Sequence, residues 1–219
     1  MTSSDLLPKN EDVCLACAFI PAADKRAEVL SLYAFLDTLR DIPERVTEPL
    51  MGEIRLRWWY EAIEEIRDGR SVRYHPLSEA LKDLIGSYGL DPQLLLDMVE
   101  GQMPLLDKGP LTVKTALGVV DKGEGIAARL AAAILGHDGD LAPFARLYGM
   151  ARIKAARGLS DGGDAELAHL RRDAAVPVPA ELLPLALPAT LAADLWHGRV
   201  AGPLAKRLKL LWAYLSGRI

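Results

Sequence analysis

Residues 33 to 44 read Tyr33-Ala-Phe-Leu-Asp37-Thr-Leu-Arg40-Asp41-Ile-Pro-Glu44. From residue 29 onward the apolar residues recur at spacings of three and four, as they do on one face of an α-helix. Asp37, Asp41 and Glu44 follow one another at positions i, i+4 and i+7, which places three carboxylates along one helical edge. The stretch therefore predicts a core helix with an acidic C-terminal end. We expect Asp24 to cap this helix and Pro43 to end it.

A second helix is predicted after Thr47. Leu50, Ile54 and Trp58 recur every four residues, and we interpret them as a stripe that faces the core. Trp58 has an alternative role, because an aromatic side chain in this helix could line a ligand pocket. The helix is expected to end near Gly69.

The rest of the chain has the same helical character. Leu and Ala make up about a third of the 219 residues, and alternating β-branched or aromatic runs are missing. We found neither repeats nor a linker, so the sequence predicts an all-α, single-domain helical bundle over residues 1–219. The further helices are expected at about residues 77–88, 91–106, 112–135, 141–159, 166–172, 180–196 and 204–216.

Composition and charge exclude several classes of protein. The formal net charge is −4, so nucleic acid is not an expected partner. No secretory signal or spanning segment is apparent, which favours a cytoplasmic protein, soluble or peripheral to the membrane. Cys14 and Cys17 have C-x-x-C spacing, but a zinc site would need a second pair, and we expect buried thiols instead.

The acidic helix end allows two interpretations. Carboxylates spaced one helical turn apart can share a Mg²⁺ ion, which prefers hard oxygen ligands. Alternatively, Asp37, Asp41 and Glu44 form a solvated helix end with Arg40 and Arg45 as ion-pair partners. Acids in a last turn oppose the helix dipole, so some cation is expected beside Asp41 in either case.

Two segments resemble a known family. Ser31-Leu-Tyr-Ala-Phe35 and Thr47-Glu48-Pro49-Leu-Met-Gly-Glu53-Ile-Arg55-Leu-Arg57-Trp58-Trp59 are similar to the N-terminal region of the squalene/phytoene synthase family. The resemblance implies a helical bundle of the isoprenoid-synthase type, in which two prenyl diphosphates lie in a central cavity. It also implies two acidic motifs on facing helices that hold Mg²⁺, where the metal withdraws charge from the leaving diphosphate.

The motifs of this chain depart from that family. The first motif falls on residues 40–44, where Asp41 and Glu44 are the carboxylates that remain. The second falls on residues 149–164 and has mostly apolar residues at the ligand positions. Metal and substrate candidates can still be named for an active enzyme whose ligands come from unexpected positions. The metal candidates are Asp37, Asp41 and Glu44 on one wall and Asp161 and Asp164 on the other. The substrate-binding candidates are Tyr33, Arg40 and Trp58.

Eroded acidic motifs beside a retained stretch at residues 52–59 are most similar to the noncatalytic branch of the family, which includes an assembly factor for respiratory complex I. This resemblance implies a noncatalytic binding or assembly module that needs no cofactor and has a respiratory complex subunit as its protein partner. Two alternatives remain open. One is a Mg²⁺-dependent transferase that joins prenyl diphosphates head to head, and the other is a carrier of an isoprenoid or another lipid.

The C-terminal segment from residue 204 predicts a basic amphipathic helix. Lys206, Arg207, Lys209 and Trp212 are candidates for contact with an anionic membrane surface, where the apolar face of such a helix can lie. Alternatively, the apolar face packs on the bundle and leaves a solvated basic edge.

Overall fold

The structure is a computed structural model that describes residues 6–199 and 201–219. In this part of the chain the regular structure is helical and no β-strand is formed, which confirms the all-α prediction. The helices are α1 (Glu11–Cys17), α2 (Ala23–Arg45), α3 (Pro49–Arg67), α4 (Pro76–Tyr88), α5 (Pro92–Glu100), α6 (Val113–Val120), α7 (Ile126–Ile134), α8 (Ala142–Arg157), α9 (Asp164–Asp173), α10 (Leu183–Ala186), α11 (Ala192–Trp196) and α12 (Pro203–Ser216).

Helix α2 runs through the centre of the core and is longer than the sequence predicts. Its N-cap is Ala22 and Pro43 lies inside the helix, so the predictions of a cap at Asp24 and an end at Pro43 were wrong. A proline inside a helix removes its own N–H donor and crowds the carbonyl four residues earlier, but the side chains of Ile42 and Pro43 are buried in the core. The Val46 N–H donates to the Ile42 carbonyl at 3.2 Å and closes the last turn.

The rotation of α3 also differs from the prediction. Leu50 and Ile54 are 63% and 55% exposed, whereas Leu56 is fully buried. The interpretation of Leu50 and Ile54 as core residues was therefore wrong. The reason lies at Gly52, where a Cβ would stand 2.1 Å from Leu106 Cδ2. This close approach turns the Gly52 side of α3 inward against the 3₁₀ turn Met103–Leu106.

The helix predicted over residues 112–135 is interrupted. The sequence has Gly118, Gly123 and Gly125 in the middle of this range, and glycine weakens a helix. Helices α6 and α7 are joined by the π-helical turn Asp121–Gly125. Such turns widen a helix by one residue and are frequent at functional sites. Helix α8 packs closely against this turn because Gly149 has no side chain: a Cβ there would lie 2.7 Å from Val120 Cγ1 and 3.0 Å from Glu124 Cδ.

The C-terminal helices form a smaller second cluster. The region predicted as one bent helix over 180–196 consists of α10, the 3₁₀ turn Leu187–Leu191 and α11. Helix α12 packs on this region and on α1 through Leu210 and Ala213. No helix in residues 6–199 and 201–219 combines the length and the apolar character needed to cross a membrane.

Candidate functional site

Three helical elements bring charged side chains together in the interior. Arg40 extends from α2, Glu124 from the π-helical turn and Arg152 from α8. An ion pair joins Arg40 Nη2 to Glu124 Oε1, and Arg152 Nη1 lies 3.6 Å from the same carboxylate oxygen. Glu124 therefore lies between two guanidinium groups, one from α2 and one from α8.

The acidic groups of α2 and α1 extend this network. Asp37 Oδ1 lies 3.4 Å from Arg40 Nη1, and Asp37 Oδ2 accepts a 2.9 Å hydrogen bond from the Asn10 N–H. The Tyr148 hydroxyl lies 3.1 Å from Asp12 Oδ2, to which it donates. We call Asp12, Asp37, Arg40, Glu124, Arg152 and Lys206, together with Tyr148, the central ion network.

Lys206 of α12 contacts this network at its outer edge, through Asp12. Its Nζ donates to Asp12 Oδ1 at 2.7 Å, and this hydrogen bond holds the pKa of Lys206 above its ordinary value despite partial burial. The cations Arg40, Arg152 and Lys206 thus face the carboxylates of Asp12, Asp37 and Glu124. Each of these three carboxylates therefore has a cationic partner within the protein.

Burial and charge shift the titration of two members of the network. Burial raises the pKa of the Tyr148 hydroxyl above its ordinary value, although nearby Arg152 opposes this shift. Burial alone would lower the pKa of Arg152, but the nearby carboxylates, Glu124 and Asp37 among them, contribute to raising that pKa above its ordinary value. Tyr148 therefore stays protonated at neutral pH and can donate to Asp12, and Arg152 stays charged.

Two of the three metal candidates of the first wall have cationic partners. Asp37 contacts Arg40, as described above. Asp41 forms an ion pair with Lys9 and lies 3.3 Å from Arg45 Nη2, which is the compensation expected for an acid in a last turn. Glu44 is exposed on the same helix.

The candidates of the second wall point away from the network. Asp161 Oδ1 accepts a 2.6 Å hydrogen bond from the Val113 N–H at the start of α6. Asp164 Oδ1 accepts from Trp196 Nε1 at 3.3 Å, and its side chain is 80% exposed. The structure therefore does not bring Asp161 and Asp164 together with the α2 carboxylates.

The α8 residues that face α2 across the interior are apolar or cationic. A cavity of about 50 Å³ lies between Pro43 and Glu44 of α2 and Ile153 and Ala156 of α8, and Arg157 also lines it. Arg157 donates to the backbone carbonyls of Leu105 and Asp107. In the described residues no group of three or more His, Cys, Asp or Glu side chains is arranged to hold a metal ion. These residues do not fit Mg²⁺, which requires several oxygen ligands.

The internal volume is also small. The second cavity, of about 30 Å³, is lined by Tyr33, Arg40, Glu124 and Tyr148. Pockets that bind small molecules usually measure ~300 to 1,000 Å³, whereas voids of 30 to 50 Å³ hold one or a few waters. A charged groove of about 240 Å³ outside them is lined by Asp12, Asp37, Asp41, Glu44, Lys9 and Arg152.

The substrate candidates fall into two places. Tyr33 and Arg40 line the second cavity, and burial raises the pKa of the Tyr33 hydroxyl well above its ordinary value. Trp58 lies elsewhere, in a surface groove of about 580 Å³ on α3. Its ring packs edge-on against Trp59, with centroids 4.9 Å apart, and Arg73 covers it at 5.4 Å.

Sequence reasoning missed Asp12, Glu124, Tyr148 and Arg152 as members of the site. A signal for two of them was available: Glu124 follows Val120 by four residues, and Arg152 follows Tyr148 by four. A charged residue on the apolar stripe of a helix must find a partner when it is buried. Cys17 is buried, as expected, and burial raises the pKa of its thiol to about 12, while Cys14 is only half-buried.

The membrane-contact candidates on α12 point in different directions. Lys206 faces inward to Asp12, and Lys209 forms an ion pair with Asp194. Arg207 is exposed, and Trp212 is 73% exposed. Their contact with a membrane stays a prediction.

An interior filled by helix packing, with cations and carboxylates meeting between α2, α6, α7 and α8, defines an all-α bundle built around a charged centre. The family model described as squalene/phytoene synthase matches residues 8–155, which is more than half of the chain. The chain therefore belongs to the squalene/phytoene synthase family.

One solved structure extends this likeness over nearly the whole chain. The crystal structure of squalene synthase HpnC from Alicyclobacillus acidocaldarius is similar to this chain with a TM-score of 0.59 and 16% sequence identity. The similarity covers 98% of this chain and 88% of that one, and it confirms the isoprenoid-synthase type of fold. No curated protein matches the sequence significantly.

Proposed function

We propose that this protein is a noncatalytic, cytoplasmic member of its family that acts as a binding module in the assembly of a respiratory complex and uses no cofactor. The observation that carries the proposal is the ion pair of Arg152 with Glu124. It puts a cation on the α8 wall, where the family resemblance leads one to expect carboxylates that bind metal. The proposal of a respiratory complex subunit as partner rests on the resemblance to the noncatalytic branch.

The chemistry of prenyl diphosphates explains why this cation matters. Diphosphates carry several negative charges, and uncompensated charge in a helical interior costs many kcal/mol, so Mg²⁺ must be bound from both walls. Here Arg40 and Arg152 already neutralise Glu124. A diphosphate could use these arginines only by leaving Glu124 buried without a partner. The pairing of each buried carboxylate with a cation therefore favours a structural role for these charges.

A binding module also needs a surface for its partner, and α3 offers one. Leu50, Met51 and Ile54 are exposed, and Met103 lies beside them across the α3 groove. Exposed apolar side chains in a contiguous patch are typical of protein interaction sites, and methionines adapt to different partners. Charges of both signs, from Glu53, Arg57 and Glu61, surround the α3 groove. This mixed rim suits a protein surface.

The first experiment tests the absence of catalysis. Purified protein is incubated with farnesyl or geranylgeranyl diphosphate and Mg²⁺, and the release of pyrophosphate is measured. We expect no release above a protein-free blank. Release that disappears in Asp41→Asn would overturn the proposal and support the transferase. A purified protein that carries an extractable isoprenoid would support the carrier, although the internal cavities of 30 and 50 Å³ argue against it.

The second experiment tests the assembly function. In a strain that lacks this chain, native gels measure the amount of assembled complex I after wild-type or variant protein is restored. We expect Leu50→Glu/Ile54→Glu to fail, because charges in the α3 groove oppose apolar docking. Val176→Glu is the matched control, since Val176 is an exposed apolar residue outside the α3 groove. Normal complex I levels without the chain, or full restoration by the α3 variant, would contradict the proposal.

A further inference from the structure

Helix α12 has a second apolar face that no other part of the described chain covers. It packs on the bundle through Leu210 and Ala213, which lie on one side. On the opposite side five large apolar side chains are between 42% and 73% exposed. These are Leu204, Leu208, Leu211, Trp212 and Leu215. Their spacing of three and four places them in one continuous stripe along the helix, which we call the outer face of α12.

The charged residues that α12 itself places beside this outer face are all positive. Helix α12 contains no acidic residue. Arg207 is exposed at one edge of the stripe, and Lys209 lies at the other edge, where it pairs with Asp194. Arg218 follows directly after the helix and is also exposed. The α3 groove, by contrast, has both acids and bases on its rim, so the two exposed apolar surfaces differ in their electrostatics.

The helix is fixed to the bundle, so its outer face is presented in one orientation. Lys206 binds Asp12 at 2.7 Å, and the ring of Tyr214 packs on Phe19 with centroids 4.6 Å apart. An amphipathic helix that only packs on the bundle would direct its larger apolar face toward the core. In α12 the residues that face inward are the smaller part of its apolar surface.

We propose that the outer face of α12 docks on an anionic lipid bilayer, with the helix axis parallel to the membrane plane. Helices with an apolar stripe, a tryptophan and flanking cations bind at the interface between headgroups and acyl chains. The guanidinium of Arg207 reaches the lipid phosphates while Leu208 and Trp212 enter the acyl boundary. The partner that we propose for the outer face of α12 is thus a membrane surface. The attraction between the cations of α12 and anionic headgroups makes the protein prefer anionic lipids.

Vesicle flotation tests this proposal with the full-length protein. We expect it to float with vesicles that contain phosphatidylglycerol and to bind vesicles of phosphatidylcholine alone at least tenfold more weakly. Raising the salt concentration should weaken the binding, because it screens the cationic edge. Leu208→Glu/Trp212→Glu should reduce binding tenfold or more. Circular dichroism and the midpoint of thermal unfolding should stay unchanged, since both side chains are exposed.

Leu50→Glu/Ile54→Glu is the matched control, because it makes the same chemical change on the other exposed apolar surface. It should float like the wild type, so the membrane proposal can fail or hold independently of the assembly function. Equal flotation of the α12 variant and the wild type would overturn the proposal. It would also be overturned if the wild type failed to float but formed a dimer that the α12 variant lost, since the outer face would then bind a second copy of the chain.

Discussion

Arg152 extends from α8 to within 3.6 Å of the carboxylate of Glu124 on the π-helical turn. The contact places a positive charge on the α8 side of the interior, opposite α2. It requires α8 and the π-helical turn to lie close together, and Gly149 permits this approach because it has no side chain. The charge pair and the glycine are thus two parts of one packing arrangement.

Removing the carboxylate of Glu124 should destabilise the fold. Glu124→Gln leaves Arg40 and Arg152 without their common partner, and losing one member of a buried pair typically costs ~3 to 5 kcal/mol. Because the Arg152 side chain is 28% exposed, water offsets part of this loss, and we expect about 2 to 4 kcal/mol in the free energy of unfolding. Urea denaturation measures it.

Glu100→Gln is the control for this prediction. Glu100 pairs with Lys122 at 3.1 Å, but both side chains are more than 40% exposed. Pairs of this kind contribute ~0 to 1 kcal/mol. Equal losses in the two variants would show that the pairing of Glu124 does not stabilise the interior.

The sequence predicted the helical fold because periodicity is a local property. The spacing of Leu32, Leu36 and Leu39 marks the core face of α2 directly, and all three are fully buried. The partners of Glu124 could not be predicted in the same way. Arg40 lies far away in the sequence, and only the packing of α2 against the π-helical turn brings the two together.

The interruption within residues 112–135 was predictable, but its consequence was not. Gly123 and Gly125 signalled a weak point, yet the π-helical geometry that directs Glu124 inward depends on the packing of α8. Conversely, the acidic edge of α2 was predicted correctly in position. Arg45 was one of the cations expected there, and its Nη2 lies 3.3 Å from Asp41. What the sequence did not show is the ion pair of Asp41 with Lys9, because Lys9 lies outside the helix.

Adding one methyl group at Gly149 should separate α8 from the π-helical turn. In Gly149→Ala the Cβ would lie 2.7 and 2.9 Å from the two methyl groups of Val120, which real structures do not tolerate. We expect a loss of ~1 to 3 kcal/mol in the free energy of unfolding from overpacking, measured by urea denaturation.

Gly118→Ala provides the opposite case for comparison. Gly118 lies in α6, and a Cβ there has nothing within 4 Å. Alanine is the better helix former by ~0.5 to 1 kcal/mol, so this variant should be more stable than the wild type. If Gly149→Ala were stabilising as well, the close approach of α8 would be refuted.

Stability should decrease at alkaline pH. Burial raises the pKa of Cys17 to about 12 and also raises the pKa values of Tyr33 and Tyr148. The unfolded chain ionises these groups near their ordinary values, so above pH ~9 it binds fewer protons than the folded chain does. The free energy of unfolding is then unaffected by these groups at neutral pH. It falls as pH rises from about 9, by up to ~1.4 kcal/mol per pH unit for each group.

Urea titrations at a series of alkaline pH values measure this slope. Cys17→Ala removes one of the groups, so its free energy of unfolding should fall less steeply above pH ~9 than that of the wild type. The comparison concerns the slope, because the substitution also changes packing at every pH. An unchanged slope would mean that the thiol of Cys17 ionises at its ordinary pKa in the folded chain.

The rotation of α3 can be tested with two neighbouring apolar residues. Leu56 is fully buried and Ile54 is 55% exposed, although the spacing in the sequence favours Ile54 as the core residue. Leu56→Ala should cost ~2 to 5 kcal/mol in the free energy of unfolding, as large-to-small substitutions in a core do. Ile54→Ala should change it by no more than about 0.5 kcal/mol, as surface substitutions do. The reverse order would mean that α3 turns Ile54 inward, and the α3 groove would then lose its apolar floor.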